Sequence, residues 1–158
     1  MRNKQARISK ATRGGKNPQK GRVRGDKAPV IAAPTGPDMN QPLRFRFDQV
    51  DVGGPWCLTS IDQPHHADLL LKMRDYESMT AREIFHGNDP RGIRYDMAEC
   101  PNPEPIRRLT EAFGGRDSIC RLRINGRRRL YGFLTGNDFS IVWWDPEHVI
   151  WPSTKKHT

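Results

Sequence analysis

Aromatic residues are absent from the first 40 positions of this chain, and this limits where a hydrophobic core can form. All four Trp, all six Phe and all three Tyr lie beyond residue 42. A segment without aromatic side chains cannot bury enough apolar surface to offset the conformational entropy lost on folding. We therefore expect residues 1–41 to be a disordered tail and residues 42–158 to form one folded domain.

The net charge of +9 is concentrated in the same N-terminal segment. Residues 1–40 contain ten Lys and Arg and two acids (+8), whereas residues 41–158 contain 17 basic and 16 acidic residues (+1). Because bound Lys and Arg release counterions from phosphates, such a segment favours sequence-independent binding to nucleic acid. The residues expected to make these contacts include Arg13, Lys16, Arg22 and Arg24. The alternative is a solvated tail that only raises solubility.

Composition disfavours several classes of protein. No apolar run approaches the ~20 residues of a membrane-spanning helix, and the basic N-terminus lacks the apolar stretch of a secretory signal. The cysteines Cys57, Cys100 and Cys120 lie far apart and form no CxxC pair. This spacing argues against a disulfide framework and against a zinc site. We expect a cytoplasmic protein without a membrane partner, a metal or another cofactor.

The periodicity of apolar residues in the domain predicts an α+β fold. Strands are predicted at 43–48, 119–124, 128–134 and 139–144. Three helices are predicted: one at 64–76, a short one that starts at the capping box formed by Thr80 and Glu83, and one at 104–113. Residues 87–103 are expected to form a loop, and residues 56–61 to pair back against the first strand. We predict a small antiparallel sheet, formed by the N-terminal strand and the C-terminal three-strand meander, packed against two or three helices.

The loop between the first two strands of the meander decides which side chains share a face. A two-residue turn, Asn125-Gly126, would place Arg129 beside Leu122 in the core, where an unpaired guanidinium is costly. A loop extended by one residue pairs Ile124 with Arg128 and moves Arg129 to the other face. Because a slip of one residue turns every side chain over, we predict the three-residue loop and a buried Leu122.

The outer face of the predicted meander is rich in arginine and aromatic residues and contains no acid. With a two-residue turn at Gly136-Asn137, it carries Arg121, Arg123, Arg129, Tyr131 and Trp144, with Arg121 exposed, while Phe139, Ile141 and Trp143 face the core. Guanidinium groups bind phosphate and aromatic rings stack on unpaired bases. We expect Tyr131, Trp144 and the turn residue Arg128 to contact nucleic acid. The alternative is a solvated face that binds nothing.

The order of elements and the basic strands resemble the RelE/ParE toxin superfamily. Cys120–Ile124 is similar to a strand of that family with basic residues at alternate positions, and Arg128–Tyr131 to the strand that follows. Phe139–Trp151 resembles the last strand and its trailing catalytic segment. The stretch Trp143–His148 also resembles the WWDPxH ending of uncharacterised bacterial and phage proteins.

The resemblance implies a metal-independent endoribonuclease. RNA-cleaving members of the superfamily cut mRNA in the ribosomal decoding site, by attack of the 2′-hydroxyl on the adjacent phosphate. By position, Arg121 and Arg123 would hold phosphate, and Arg129 would stabilise the charge that develops on phosphorus. His148, which follows the last strand, would act as acid or base near neutral pH, with Trp151 as the trailing aromatic.

The partners implied by the resemblance are RNA or the ribosome and an antitoxin protein. Two alternatives to the ribonuclease stay open. One is a nucleic-acid- or ribosome-binding protein on the same fold that does not cleave, which the basic tail favours. The other is a toxin-like or phage protein that binds a host protein such as gyrase, because the superfamily contains such members and a fold alone does not assign an activity.

Overall fold

The computed structural model describes residues 36–154, and within them the chain forms five strands and three helices. In chain order these are β1 (Arg44–Arg46), α1 (Gln63–Glu77), α2 (Ala81–His86), β2 (Gly92–Asp96), α3 (Pro103–Phe113), β3 (Ser118–Arg123), β4 (Arg129–Thr135) and β5 (Asp138–Asp145). The predicted α+β class is confirmed. Of the described helices, none is long and apolar enough to cross a membrane.

Helix boundaries follow local sequence signals. The Asp62 side chain accepts a backbone N–H at the start of α1, and Thr80 and Glu83 form the predicted capping box at the start of α2. Asn102 caps the start of α3, and Gly114 caps its end. Gly114 has φ +68°, a left-handed conformation that glycine adopts without steric strain.

The sheet is mixed, with the strand order β1-β5-β4-β3-β2. β1 runs parallel to β5, and the other neighbouring strands are antiparallel, so the prediction of a purely antiparallel sheet is wrong. β2 lies within residues 87–103 and pairs with β3, so the prediction of a loop there is also wrong. Residues 56–61 do not pair with β1. Instead, the Trp56 carbonyl accepts a hydrogen bond of 2.8 Å from the Trp144 N–H at the end of β5.

The hairpin between β3 and β4 has the predicted three-residue loop. The Ile124 N–H donates to the Arg128 carbonyl at 3.1 Å, and Arg123 pairs with Arg129 across the hairpin. Leu122 is fully buried, as predicted. Arg123 and Arg129 therefore share one face of the sheet.

An extra residue in β5 changes the register at the end of the sheet. Ile141 pairs with β4 in the predicted register, but Tyr131 pairs with Trp143, so Val142 has no partner of its own in β4. Such a bulge turns the following side chains over. Trp143 lies on the face of Tyr131 and Trp144 lies in the opposite core, which is the reverse of the prediction.

Both faces of the sheet are covered. The core under α1 and α2 includes Leu69, Tyr76, Leu122, Phe139 and Trp144. The core under α3 and the segment after β5 includes Leu109, Ile119, Tyr131, Trp143 and Ile150. The sequence predicted only the first of these cores. Because the second core covers part of the arginine-bearing face, only the rest of that face is accessible.

Residues 36–41 pack against the folded domain. The Asp38 N–H donates to Oδ1 of Asn137 at 3.1 Å, and the Met39 carbonyl accepts from the Arg82 N–H at 2.9 Å. The predicted tail boundary after residue 41 is therefore too late. Residues 1–35, for which disorder is predicted, lie outside the described part of the chain. So do the predicted nucleic-acid contacts Arg13, Lys16, Arg22 and Arg24.

Candidate functional site

Three arginines, which we call the arginine cluster, lie together on the second face of the sheet: Arg121, Arg123 and Arg129. Arg121 and Arg123 alternate on β3, and Arg129 begins β4 opposite Arg123. Arg121 is only 8% exposed, Arg129 is half-buried and Arg123 is exposed. The prediction of an exposed Arg121 is wrong, because Tyr95 and the segment after β5 lie against its side chain.

The arginines of the cluster make no ion pair with a carboxylate within residues 36–154. Nε of Arg121, Nε of Arg129 and the hydroxyl of Tyr131 are buried there without a hydrogen-bond partner. Buried donors are normally satisfied, and an unpaired buried charge is costly. The cluster therefore carries positive charge that no carboxylate of the described residues pairs with, and Arg123 is its exposed member.

Arg129 is held against the loop of the β3–β4 hairpin. Its Nη1 donates to the carbonyl of Gly126 at 2.6 Å and to that of Arg128 at 2.9 Å. Burial, followed by the positive charges of Arg121 and Arg123, lowers the pKa of Arg129. Because a guanidinium stays protonated in proteins, this lowered pKa means that desolvation, and then the neighbouring positive charges, disfavour the charge that Arg129 carries.

His148 lies beside Arg121, in the turn that follows β5. Its Nε2 is 3.4 Å from Nη1 of Arg121, and its Nδ1 is 3.5 Å from Oγ of Ser153. Its φ of +60° is uncommon for a residue other than glycine, and such conformations cluster at functional sites. Burial, then the charges of Arg129 and Arg121, lowers the pKa of His148. The imidazole is therefore neutral at pH 7 and can accept a proton.

Asp145 holds the turn that carries His148. Its two carboxylate oxygens accept the N–H groups of Val149 at 3.1 Å and Ile150 at 2.8 Å, and the residue is fully buried. Asp145 pairs with Arg129 across the sheet and lies on the same face. The expectation that this face contains no acid is wrong. The carboxylate binds the backbone of the turn, however, and leaves the arginines unpaired.

A cavity of about 300 Å³ opens beside Arg121 and His148. Its walls include the rings of Tyr95 and Trp151, which stack with their centroids 4.0 Å apart and 10° between their planes. Glu99 also lines the cavity. The sequence did not point to Tyr95 and Glu99, because they lie in residues 87–103, for which a loop is predicted. The resemblance to a toxin family did single out Trp151.

Two aromatic residues predicted to stack on bases are buried. Tyr131 is 0% exposed beneath the arginine cluster, and Trp144 is 2% exposed in the core under α1 and α2. A ring without an exposed face cannot stack on a base, so that prediction is wrong for both residues. Arg128 points to the face opposite Arg129, where it contacts His65 and Asn125. The structure therefore brings together Arg121, Arg123, Arg129 and His148, and separates Arg128, Tyr131 and Trp144 from the accessible site.

Within residues 36–154, no three or more His, Cys, Asp or Glu side chains form a group that could hold a metal ion. Comparisons of the chain with family models, with curated proteins and with solved structures found no match.

Proposed function

We propose that this chain binds RNA at the arginine cluster and cleaves mRNA at the ribosome as a RelE-like ribonuclease. The observation that carries the proposal is the juxtaposition of a neutral histidine with two arginines that make no ion pair, the buried Arg121 and the half-buried Arg129. Nη1 of Arg121 and Nε2 of His148 are 3.4 Å apart. A phosphate bound to Arg121 would therefore lie within reach of a group that can accept a proton.

Cleavage by this site needs one proton removed and one negative charge stabilised. His148 takes the proton of the 2′-hydroxyl, whose oxygen then bonds to phosphorus. The bond from phosphorus to the 5′-oxygen breaks, and that oxygen takes a proton from water, which leaves a 2′,3′-cyclic phosphate. Arg121 and Arg123 hold phosphate oxygens, while Arg129 stabilises the charge that develops in the transition state. The chemistry requires no cofactor.

The charge of the N-terminal segment supports a polyanionic substrate. Residues 1–35 contain ten basic residues and one acid, whereas residues 36–158 contain 17 of each sign. The folded domain is therefore close to neutral overall, and its arginine cluster is a local feature. The same distribution favours a second candidate function, a nucleic-acid- or ribosome-binding protein that does not cleave. RNA on the ribosome and an antitoxin protein are the proposed partners of the ribonuclease.

Induced expression in a bacterium, with growth and mRNA integrity followed together, tests the proposal. We expect the wild-type protein to stop growth and to cut mRNA on translating ribosomes. Arg129→Ala is expected to slow cleavage about 10²–10³-fold and to weaken RNA binding much less, because the charge it stabilises develops only in the transition state. A matched control is Arg116→Ala, since Arg116 lies over the Phe133 ring and outside the cluster.

Each outcome of the expression experiment separates the candidates. Intact mRNA after strong wild-type expression rejects the ribonuclease. If the purified protein then still binds RNA, the second candidate stands. Growth arrest without RNA cleavage or RNA binding indicates a host protein as the target. Every variant must also unfold cooperatively near the wild-type midpoint, because Arg129 holds the hairpin loop.

A further inference from the structure

We propose that the cavity beside Arg121 and His148 binds the nucleobase next to the cleaved phosphate, and that Glu99 makes it select bases with an exocyclic amino group over uracil. The inference rests on the proposed function, because it names the part of the RNA that occupies this cavity. It goes further in assigning a base preference to a residue outside the arginine cluster.

The walls of the cavity suit a flat ring. Its volume of about 300 Å³ lies at the lower end of the range for small-ligand sites. The stacked rings of Tyr95 and Trp151 border it together with Pro101 and Pro152. Aromatic rings bind bases of any identity, since every base has a π face. These walls therefore provide affinity without selectivity.

The position of the cavity connects the base to the phosphate. Arg121 and His148 line the cavity, and the other arginines of the cluster continue from Arg121 along β3 and β4. A nucleotide whose phosphate contacts Arg121 can therefore place its own base in the cavity. The guanidinium of Arg121 lies 5.5 Å from the centre of the Tyr95 ring, so the charged and the aromatic parts of the site are adjacent.

Glu99 supplies the selective group. It ends a short 3-10 turn whose first residue, Met97, is buried and donates its N–H to the Asp117 carbonyl at 2.8 Å. The Glu99 carboxylate makes no ion pair within residues 36–154. An ionised carboxylate only accepts hydrogen bonds. Cytosine, adenine and guanine each carry an exocyclic amino donor, which uracil lacks. The one ring donor of uracil, N3–H, lies between two carbonyl oxygens that the carboxylate repels.

Equilibrium binding of the four nucleoside 3′-monophosphates to the full-length protein, measured by calorimetry, tests the inference. In these probes the phosphate can contact Arg121 while the base enters the cavity. We expect the cytidine, adenosine and guanosine compounds to bind about 10- to 150-fold more tightly than uridine 3′-monophosphate, the range for one hydrogen bond to a charged group.

Three variants make the test specific. Glu99→Gln should bring the ratio of affinities between the amino-bearing compounds and uridine 3′-monophosphate close to one. The reason is that an amide can donate a hydrogen bond to a uracil carbonyl as well as accept one from an amino group. Glu77→Gln is the matched control and should leave the preference unchanged, since Glu77 is exposed at the end of α1. Trp151→Ala should weaken binding of all four compounds by a similar factor.

Several results would overturn the inference. These are equal affinities for all four compounds, a preference that survives Glu99→Gln, or no binding of any compound at millimolar concentration. The proposed function fails separately. If the base preference is present but RNA is never cut, only the ribonuclease is rejected. If RNA is cut without regard to base identity, only the selective role of Glu99 is rejected.

Discussion

Nη1 of Arg121 lies 3.4 Å from Nε2 of His148, and this contact indicates which ring nitrogen carries the proton. A guanidinium only donates, so Nε2 is the acceptor and the neutral ring is protonated on Nδ1. Nδ1 in turn lies 3.5 Å from Oγ of Ser153. The arginine that would bind phosphate therefore also orients the proposed base.

The titration of His148 should depend on Arg121. Burial and the positive charges of Arg129 and Arg121 lower the pKa of His148 below its ordinary value of about 6.5. Arg121→Met removes one of these charges and should raise the pKa. Proton NMR of the imidazole resonances, followed against pH in the full-length protein, measures this pKa. Arg107→Met, at an exposed position of α3, is the control and should leave the pKa of His148 unchanged. If His148 has the same pKa in the wild type and in Arg121→Met, the prediction is contradicted.

The stability of the protein should fall below about pH 6.5, in part because of the same histidine. The folded-state pKa of His148 is lowered, so the unfolded chain binds more protons between the folded and unfolded values. Stability is therefore lost as the pH falls through this window and is unaffected by His148 above it. His148→Asn should reduce the slope of the unfolding free energy against pH in this window. Asparagine also tolerates the φ of +60°. Urea unfolding between pH 5 and pH 8 compares the two slopes; identical slopes refute the assignment.

Asp145 should be needed to hold the turn that carries His148. Asp145→Ala leaves two backbone N–H groups, those of Val149 and Ile150, without their acceptor. We expect a loss of about 2–4 kcal/mol in the free energy of unfolding, because hydrogen bonds to a charged group contribute more than neutral ones. Chemical denaturation measures the loss. Asp89→Ala, an exposed control, should change stability little; an equally small effect of Asp145→Ala would contradict the structural role.

Asp51 should couple α3 to the sheet in a pH-dependent way. Its carboxylate accepts three hydrogen bonds: from Nε of Arg108 at 2.8 Å, from Nη2 of Arg108 at 2.6 Å and from Nε1 of Trp143 at 2.9 Å. The hydrogen bonds from Arg108 are the main reason that the pKa of Asp51 is lowered. The stabilisation is present above the unfolded pKa of about 3.9 and is lost as the pH falls through the folded value.

Asp51→Ala tests this coupling. It should cost about 2–3 kcal/mol of unfolding free energy at pH 7, since it leaves Arg108 and the buried Trp143 N–H without an acceptor. The difference from wild type should shrink below about pH 4, where the carboxylate begins to take up a proton in the unfolded chain but stays ionised in the folded protein until the pH is lower. Asp48→Ala removes an exposed carboxylate, 3.6 Å from Arg46, and should cost less than about 1 kcal/mol. A difference that stays constant down to pH 3 would show that the carboxylate charge is not involved.

The hairpin loop could be predicted from the sequence because only one of the two registers kept the guanidinium of Arg129 out of the core. Pairing Ile124 with Arg128 placed Arg129 on the outer face, and the structure has this register. The Thr80/Glu83 capping box was equally local, since its hydrogen bonds join residues three positions apart. Both features are formed by residues that are close in the sequence, so the types of those residues are enough to predict the loop and the helix start.

The composition of the site could not be predicted in the same way. Ile141–Trp144 is apolar throughout, so an alternating pattern does not reveal the bulge at Val142 that turns Trp144 into the core. β2 is a five-residue edge strand with mostly exposed side chains, and its pairing with β3 depends on tertiary contacts. Tyr95 and Glu99 therefore entered the site only with the structure.

The salt dependence of RNA binding should come mainly from residues 1–35, which carry ten of the 27 basic residues. Deleting them should lower RNA affinity and flatten the dependence of log affinity on log salt, by about 0.7 for each phosphate of single-stranded RNA that is no longer neutralised. Residues 36–41 should be kept, because Asp38 and Met39 hydrogen-bond to the folded domain. Fluorescence anisotropy with labelled RNA at several salt concentrations measures the slope. Arg121→Met in the full-length chain should change the slope only by about the amount expected for a single phosphate. If the deletion leaves the slope unchanged, the folded domain alone binds the phosphates.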